Sequence, residues 1–301
     1  MEFDNEDDAQ KLGSMITSLS RTSSGEILVS GFSNVIICIN KNIRTTWKVN
    51  EIEEYCTITV IFVSELLKGV FLACSDSIVY FFDISSKVII SKFEGHTSEV
   101  LSLAVDQGNK VLFTGSSDTS IKIWSIAESS IIFSYTSELS SIISLSFCPT
   151  QLLCAAGLSS DTVYIIRYEN SEYKLEEFSV SDSDEVSCVL VLETMQKTFA
   201  VGFLTGKIEI WSVDQYRLNE LKGHKDRVNA LESIINFEGI EFIISGSRDF
   251  TVIIWRVNDG SIMNTLHDHN HLVNCINADS GGEEFVSADW NGNIKIFELN
   301  L

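Results

Sequence analysis

Five histidines, at positions 96, 224, 267, 269 and 271, are the side chains of this 301-residue sequence best suited to acid–base or metal chemistry. Three of them fall in the run LHDHNH. Alternate spacing there would set His267, His269 and His271 on one side of an extended strand, a geometry able to hold a metal ion; a solvated loop is the competing reading. His96 and Asp118 have the residue types of a partial catalytic triad, but no nucleophile accompanied by a base and an orienting group stands out, and neither common glycine-rich phosphate loop occurs. No catalytic residue, metal or cofactor is therefore expected. Seven cysteines, at 38, 56, 74, 148, 154, 188 and 275, contain no CxxC pair and mostly lie in apolar, strand-like runs. They read as reduced core thiols of a cytoplasmic or nuclear protein, not as a disulfide frame or a zinc site.

The elements that must carry these residues recur at a fixed interval. TGSSDTSIKIW ending at Trp124 and SGSRDFTVIIW ending at Trp255 are the clearest copies of a run whose last residue falls at 40, 82, 124, 166, 211, 255 and 297. Successive separations are 42, 42, 42, 45, 44 and 42 residues. A second landmark keeps step with the first, the start of another apolar run at Ile16, Ile58, Val100, Ile142, Val186, Val228 and Val273. Each copy holds three or four short runs of Ile, Val and aromatic residues punctuated by Gly, Ser and Asp, with no helical period, which predicts one antiparallel sheet per copy. The third run of each copy is apolar on both faces, as befits a strand between two neighbouring sheets. Sheets stacked face to face about an axis predict an all-β, seven-bladed β-propeller of four-stranded antiparallel sheets over residues 12–301. An open solenoid is less favoured because capping repeats are missing.

These copies resemble the WD-repeat family. In that family a Gly-His pair, a Ser or Thr, an Asp and a Trp form a buried hydrogen-bonded set in each blade, and two copies match in full. The third has Gly95, His96, Thr114, Asp118 and Trp124; the sixth has Gly223, His224, Ser245, Asp249 and Trp255. The seventh keeps His269 and Ser287 but has Asn291 and Phe297, and the second keeps Asp76 with Phe82. Leu12, Glu138 and Asp182 replace the histidine in the first, fourth and fifth copies, so those blades are expected to rely on apolar packing alone. The resemblance implies that one end of the chain supplies the outer strand of the last blade. Only residues 3–11 of the acidic segment 1–11 are available for this, and FDNEDDAQK is a poor strand former. Closure is expected to be weak, or the last blade to keep three strands and a free edge.

The resemblance further implies that the loops entering each innermost strand and the tight turns before each anchor share one face. Those loops carry Glu51, Glu53, Glu54, Glu94, Glu99, Glu138, Asp182, Asp184 and Glu185 over four consecutive blades. The sixth blade carries Lys222, Lys225, Arg227 and Arg248, and Trp290 stands in the turn of the seventh. A net charge of -21 argues against direct nucleic-acid binding and favours a basic or charge-patterned protein partner. The expected function is a non-enzymatic scaffold or adaptor, a monomeric propeller within a hetero-complex. Its contacts are expected at Glu53, Glu54, Glu99, Glu138, Asp184, Glu185, Arg227, Arg248 and Trp290. A propeller enzyme or metal module built on His267–His271 is the alternative. Ser181, three residues before Asp184, has the spacing of an acid-directed phosphorylation site, and no stretch is apolar enough to insert in a membrane.

Overall fold

Each copy of the repeat becomes one antiparallel sheet. A computed structural model describes residues 15–40, 43–138, 140–180, 184–279 and 282–299. In the third repeat the strands Val100–Asp106, Val111–Ser116, Ser120–Ser125 and Ser130–Thr136 pair in chain order, and the other repeats follow the same plan. Burial falls outward across each blade: Val111–Ser116 is buried throughout, whereas Ser130–Thr136 is mostly exposed. Among the described residues six sheets have four strands, and the seventh has three, Val273–Ala278, Glu284–Asp289 and Ile294–Glu298. The proposed closing segment, residues 3–11, lies outside the described residues.

The first strands of all seven blades line one central channel of about 260 Å³, which identifies them as innermost and the sheets as a closed ring. The residue that opens each innermost strand, from Ile16 to Val273, is at most 1% exposed. Ile142, Val186, Val228 and Val273 pack on the preceding blade where its second strand has a glycine, at Gly115, Gly157, Gly202 and Gly246. A Cβ added to Gly246 would lie 2.6 Å from Val273 Cγ1, and one on Gly157 would lie 2.9 Å from Val186 Cγ1. The blades therefore approach to backbone contact.

Polar side chains latch these joints around the channel. Thr17 Oγ1 donates to the Ile58 carbonyl (2.6 Å), Ser187 Oγ to that of Val228 (2.6 Å) and Asn229 Nδ2 to that of Val273 (2.8 Å). Thr59 and Ser102 donate in the same way to Val100 and Ile142. Between the fourth and fifth blades, Ser144 and Ser146 accept the Val189 and Val191 amides at 3.1 and 3.0 Å. The joint between the seventh and first blades is built alike. Asn274 Nδ2 donates to the Ile16 carbonyl (2.8 Å), Asn277 Oδ1 accepts the Arg21 amide (3.0 Å), and the Arg21 guanidinium pairs with Glu284. Beneath these contacts Val286, Ala288 and Ile294 pack with Ile16, Leu19, Ile27 and Val29.

Candidate functional site

The loops of one face are fixed from within. In the third blade Trp124 Nε1 donates to Thr114 Oγ1 (2.8 Å), Thr114 Oγ1 meets His96 Nε2 (2.7 Å), and His96 Nδ1 meets Asp118 Oδ2 (2.9 Å). A neutral imidazole with its proton on Nδ1 lets each group of this chain donate to the next, so no buried polar atom is stranded. Burial holds the His96 pKa down and keeps it in that neutral form. The same carboxylate accepts the Thr97 amide at 2.8 Å and so pins the loop that enters the blade. The sixth blade repeats the arrangement through Trp255, Ser245 and His224 (2.7 Å at both Ser245 contacts), His224 and Asp249 (3.0 Å), and the Lys225 amide (2.8 Å).

Burial alone would raise the Asp118 carboxyl, but hydrogen bonds from the Ser120 hydroxyl and the Thr97 and Ser120 amides bring its pKa down to about 2. A carboxylate depressed below its unfolded value of about 3.9 contributes stability that is complete above that value and is lost as pH falls through about 2. Asp118→Asn is therefore expected to cost about 2 kcal/mol at neutral pH and to flatten the decline of Tm on acidification. Thermal melts of both proteins across the acid range test this, and parallel pH profiles would contradict it.

In the seventh blade His269 and Ser287 hold the places the repeat gives them, and a carboxylate that the sequence reading did not name completes the set. His269 Nδ1 meets Asp289 Oδ2 (3.1 Å) and His269 Nε2 meets Ser287 Oγ (2.7 Å). Asp289 ends the second strand two residues before Asn291 and is fully buried, with Oδ1 accepting the amides of Asn291 and Asn293 at 3.0 Å. The carboxylate has moved into the strand end, at the place that Ser116 and Ser247 hold in the third and sixth blades. Apolar packing alone is likewise not what holds the first, fourth and fifth blades. Asn34 Nδ2 donates to the Ile52 carbonyl (2.7 Å), the Ser137 and Tyr164 hydroxyls meet at 2.8 Å, and Trp211 Nε1 donates to the buried Glu209 (3.0 Å), which Arg217 also reaches (2.6 Å).

A backbone bond places the two loop classes on one face. In six blades the residue after the second strand donates its N–H to the carbonyl just before the innermost strand: Ser75 to Thr57, Ser117 to Glu99, Ser159 to Ser141, Leu204 to Glu185, Arg248 to Arg227 and Trp290 to Leu272, all at 2.8–3.1 Å. On that face Glu51, Glu53, Glu54, Glu94, Glu99, Glu138 and Glu185 are exposed, and Glu54 pairs with Lys48 at 3.4 Å. Asp184 differs. Its side chain is only 10% exposed, Lys207 Nζ lies 4.0 Å away, and Thr205 donates to it, so it braces the fifth blade. Asp182 and Ser181 lie outside the described residues.

Lys222, Lys225 and Arg248 are exposed, whereas Arg227 is half-buried. Trp290 is half-buried too, its ring edge-on to Phe32 of the first blade at 5.9 Å. Three aromatic residues of this face escaped the sequence reading: Phe32 and Phe250, each 45% exposed, and Tyr55, 94% exposed. Phe250 also has a φ of 72°, a left-handed conformation that the equivalent turns reach with Ser77, Thr119, Gly206 and Gly292. A bulky side chain held there costs about 1–2 kcal/mol and points to a use for the exposed ring.

Among the histidines of 267–271, both nitrogens of His269 are taken by Asp289 and Ser287, and His271 instead faces Phe250 at 6.1 Å. The segment is a loop, and the three imidazoles do not form a ligand set. Away from the loop face, a cavity of about 670 Å³ between the third and fourth blades is lined by Phe113, Phe133, Phe147, Tyr168 and Tyr173. No helix among the described residues is long and apolar enough to cross a membrane.

The family model "WD domain, G-beta repeat" matches residues 87–125, 215–256 and 260–298. These spans hold most of the three blades with a complete His-hydroxyl-carboxylate set. The chain is 22% identical over 252 residues to the WD repeat domain-containing protein 83 homolog of Dictyostelium discoideum, covering 75% of this chain and 77% of that protein. It is 24% identical over 224 residues to the Periodic tryptophan protein 2 homolog of the same organism, covering 71% of this chain but 23% of that protein. Against the WD repeat-containing protein srw1 of Schizosaccharomyces pombe it is 24% identical over 169 residues, 54% of this chain and 29% of that protein. The chain thus spans most of the first relative and less than a third of the other two. Repeat motif, sheet plan and relatives agree: the chain carries WD repeats, is similar to WD-repeat proteins and folds as a seven-bladed β-propeller.

Proposed function

We propose that this propeller is a non-enzymatic scaffold subunit, monomeric within a larger cytoplasmic or nuclear complex, and that its loop face docks a basic or charge-patterned protein. The observation that carries the reading is the arc of exposed glutamates on the second to fifth blades, on loops tied by backbone bonds to the ring. Such an arc steers a basic partner and fixes its orientation. Phe32, Phe250 and Trp290, on the first, sixth and seventh blades, supply the apolar anchors that a charged rim lacks. Seven free cysteines suit a reducing compartment. WD-repeat propellers are typically protein-interaction scaffolds, which supports the class of function.

The test is affinity purification from the native cell followed by charge reversal. Glu53, Glu54, Glu99 and Glu138 changed together to Lys should abolish recovery of the principal partner while Tm stays within a few degrees. Phe250→Gly should relieve the left-handed strain, leave the fold as stable or more so, and still weaken recovery several-fold. Undiminished recovery by the reversed protein would overturn the arc as the docking site.

A further inference from the structure

Outside the loop-face arc, one group of side chains converges as a ligand set. Cys56 lies in the loop entering the second blade, and Cys74 ends that blade's second strand, Gly69–Cys74, where it pairs with Ile58, two residues beyond Cys56. Asp76 follows in the turn. The two sulfurs and a carboxylate oxygen lie within 4.8 Å of one another, the one such grouping of His, Cys, Asp and Glu among the described residues. A tetrahedral zinc ion takes thiolate sulfur at about 2.3 Å and carboxylate oxygen at about 2.0–2.2 Å, so its ligand atoms sit within about 4 Å of each other. Small side-chain adjustments close the present spread to that size.

The surroundings are those of an outer shell. Asp76 Oδ1 accepts the Ile78 amide (3.1 Å) and Oδ2 accepts the Tyr80 hydroxyl (2.7 Å), which aims the carboxylate at the sulfurs. Ser75 Oγ accepts the Thr57 amide (2.9 Å) and lies 3.5 Å from Cys56 Sγ. Both cysteines are buried, while Ser75, Asp76 and Ser77 are half-exposed, so the group opens onto the loop face. Beside that opening stand the exposed Glu51, Glu53 and Glu54, which raise the local cation concentration. Two soft sulfurs with one carboxylate select a thiophilic ion over magnesium or calcium, which prefer all-oxygen shells.

We propose that Cys56, Cys74 and Asp76 bind a thiophilic divalent cation of the zinc class, with solvent as the fourth ligand. Binding displaces the two thiol protons to solvent and ties the acidic loop 51–56 to the turn after the second strand. The full-length protein, reduced and stripped with chelator, is titrated with Co²⁺ and then Zn²⁺. The expected result is a near-ultraviolet thiolate-to-cobalt band that zinc displaces, one zinc retained per chain by mass spectrometry, and a Tm raised by zinc. Cys56→Ser and Cys74→Ser should lose the band, and Cys38→Ser, on the first blade, should keep it. Tyr80→Phe should weaken affinity by about 10–100-fold. Asp76→Asn, which keeps an oxygen for Tyr80, provides a second ligand variant if a serine variant fails to fold by circular dichroism. Absence of the band and of retained zinc in the wild type, or equal binding by folded Cys56→Ser or Asp76→Asn, would overturn the site.

Discussion

Ser245→Ala is expected to lower the free energy of unfolding by about 3 kcal/mol, far more than the loss of one exposed hydroxyl. The hydroxyl is fully buried and joins two groups at once, Trp255 Nε1 and His224 Nε2, each at 2.7 Å. Removing it strands both, and each buried polar group left unpaired costs about 1–3 kcal/mol. The space vacated is smaller than the roughly 30 Å³ that a water molecule occupies, so solvent does not restore the bonds. Ser245→Thr keeps the hydroxyl, as Thr114 does in the third blade, and should retain most of the stability. Equilibrium urea unfolding compares the two, and equal losses would mean that the hydrogen bonds contribute nothing beyond the side chain's volume.

Gly115→Val should be at least as damaging, by about 3 kcal/mol, for a steric reason. An added Cβ would stand 2.6 Å from Ser102 Oγ and 2.8 Å from Ile142 Cβ, inside the contact between the third and fourth blades. Neither neighbour can retreat, because Ile142 is fully buried and Ser102 is bonded across the same joint. Two further methyl groups then force the blades apart. Gly108→Ala is the control: its Cβ meets only Asp106 Oδ1, at 3.5 Å, and the expected change is under about 1 kcal/mol. A near-neutral Gly115→Val would show that the blades pack more loosely than described.

The architecture was legible because two landmarks kept register, and both have a physical meaning. The residues from Ile16 to Val273 that open each copy are the deeply buried first contacts between blades. The anchors ending at Trp124 and Trp255 close the buried sets. A third signal went unread: five of the seven openings are followed directly by a polar residue, Thr17, Thr59, Ser187, Asn229 and Asn274, and these are latches of the channel wall. Asp289 was missed because a carboxylate two places out of register can reach the same imidazole once the strand has turned it inward. Cys56 and Cys74 belong to no CxxC pair that would mark them as ligands, and the pairing of Ile58 with Cys74 brings them together.

The candidate face was legible in its charge and not in its aromatics. Runs such as EIEEYC and EGHTSE declare themselves as solvated loops, and their glutamates are exposed as expected. Asp184 looked equivalent, but its bond from Thr205 and its proximity to Lys207 turn it inward, a contact between loop and turn that sequence does not display. Phe32 and Phe250 sit in turns where an apolar residue can either tuck under or project; the backbone geometry decides, and the left-handed φ of Phe250 leaves its ring projecting.

Cross-linking mass spectrometry of the native complex tests the docking claim most directly. The account predicts that the partner's lysines join Glu53, Glu54, Glu99, Glu138 and Glu185 through a carboxylate-to-amine reagent, leaving the opposite face unmarked. Links confined to that opposite face, or to the aromatic cavity between the third and fourth blades, would contradict it.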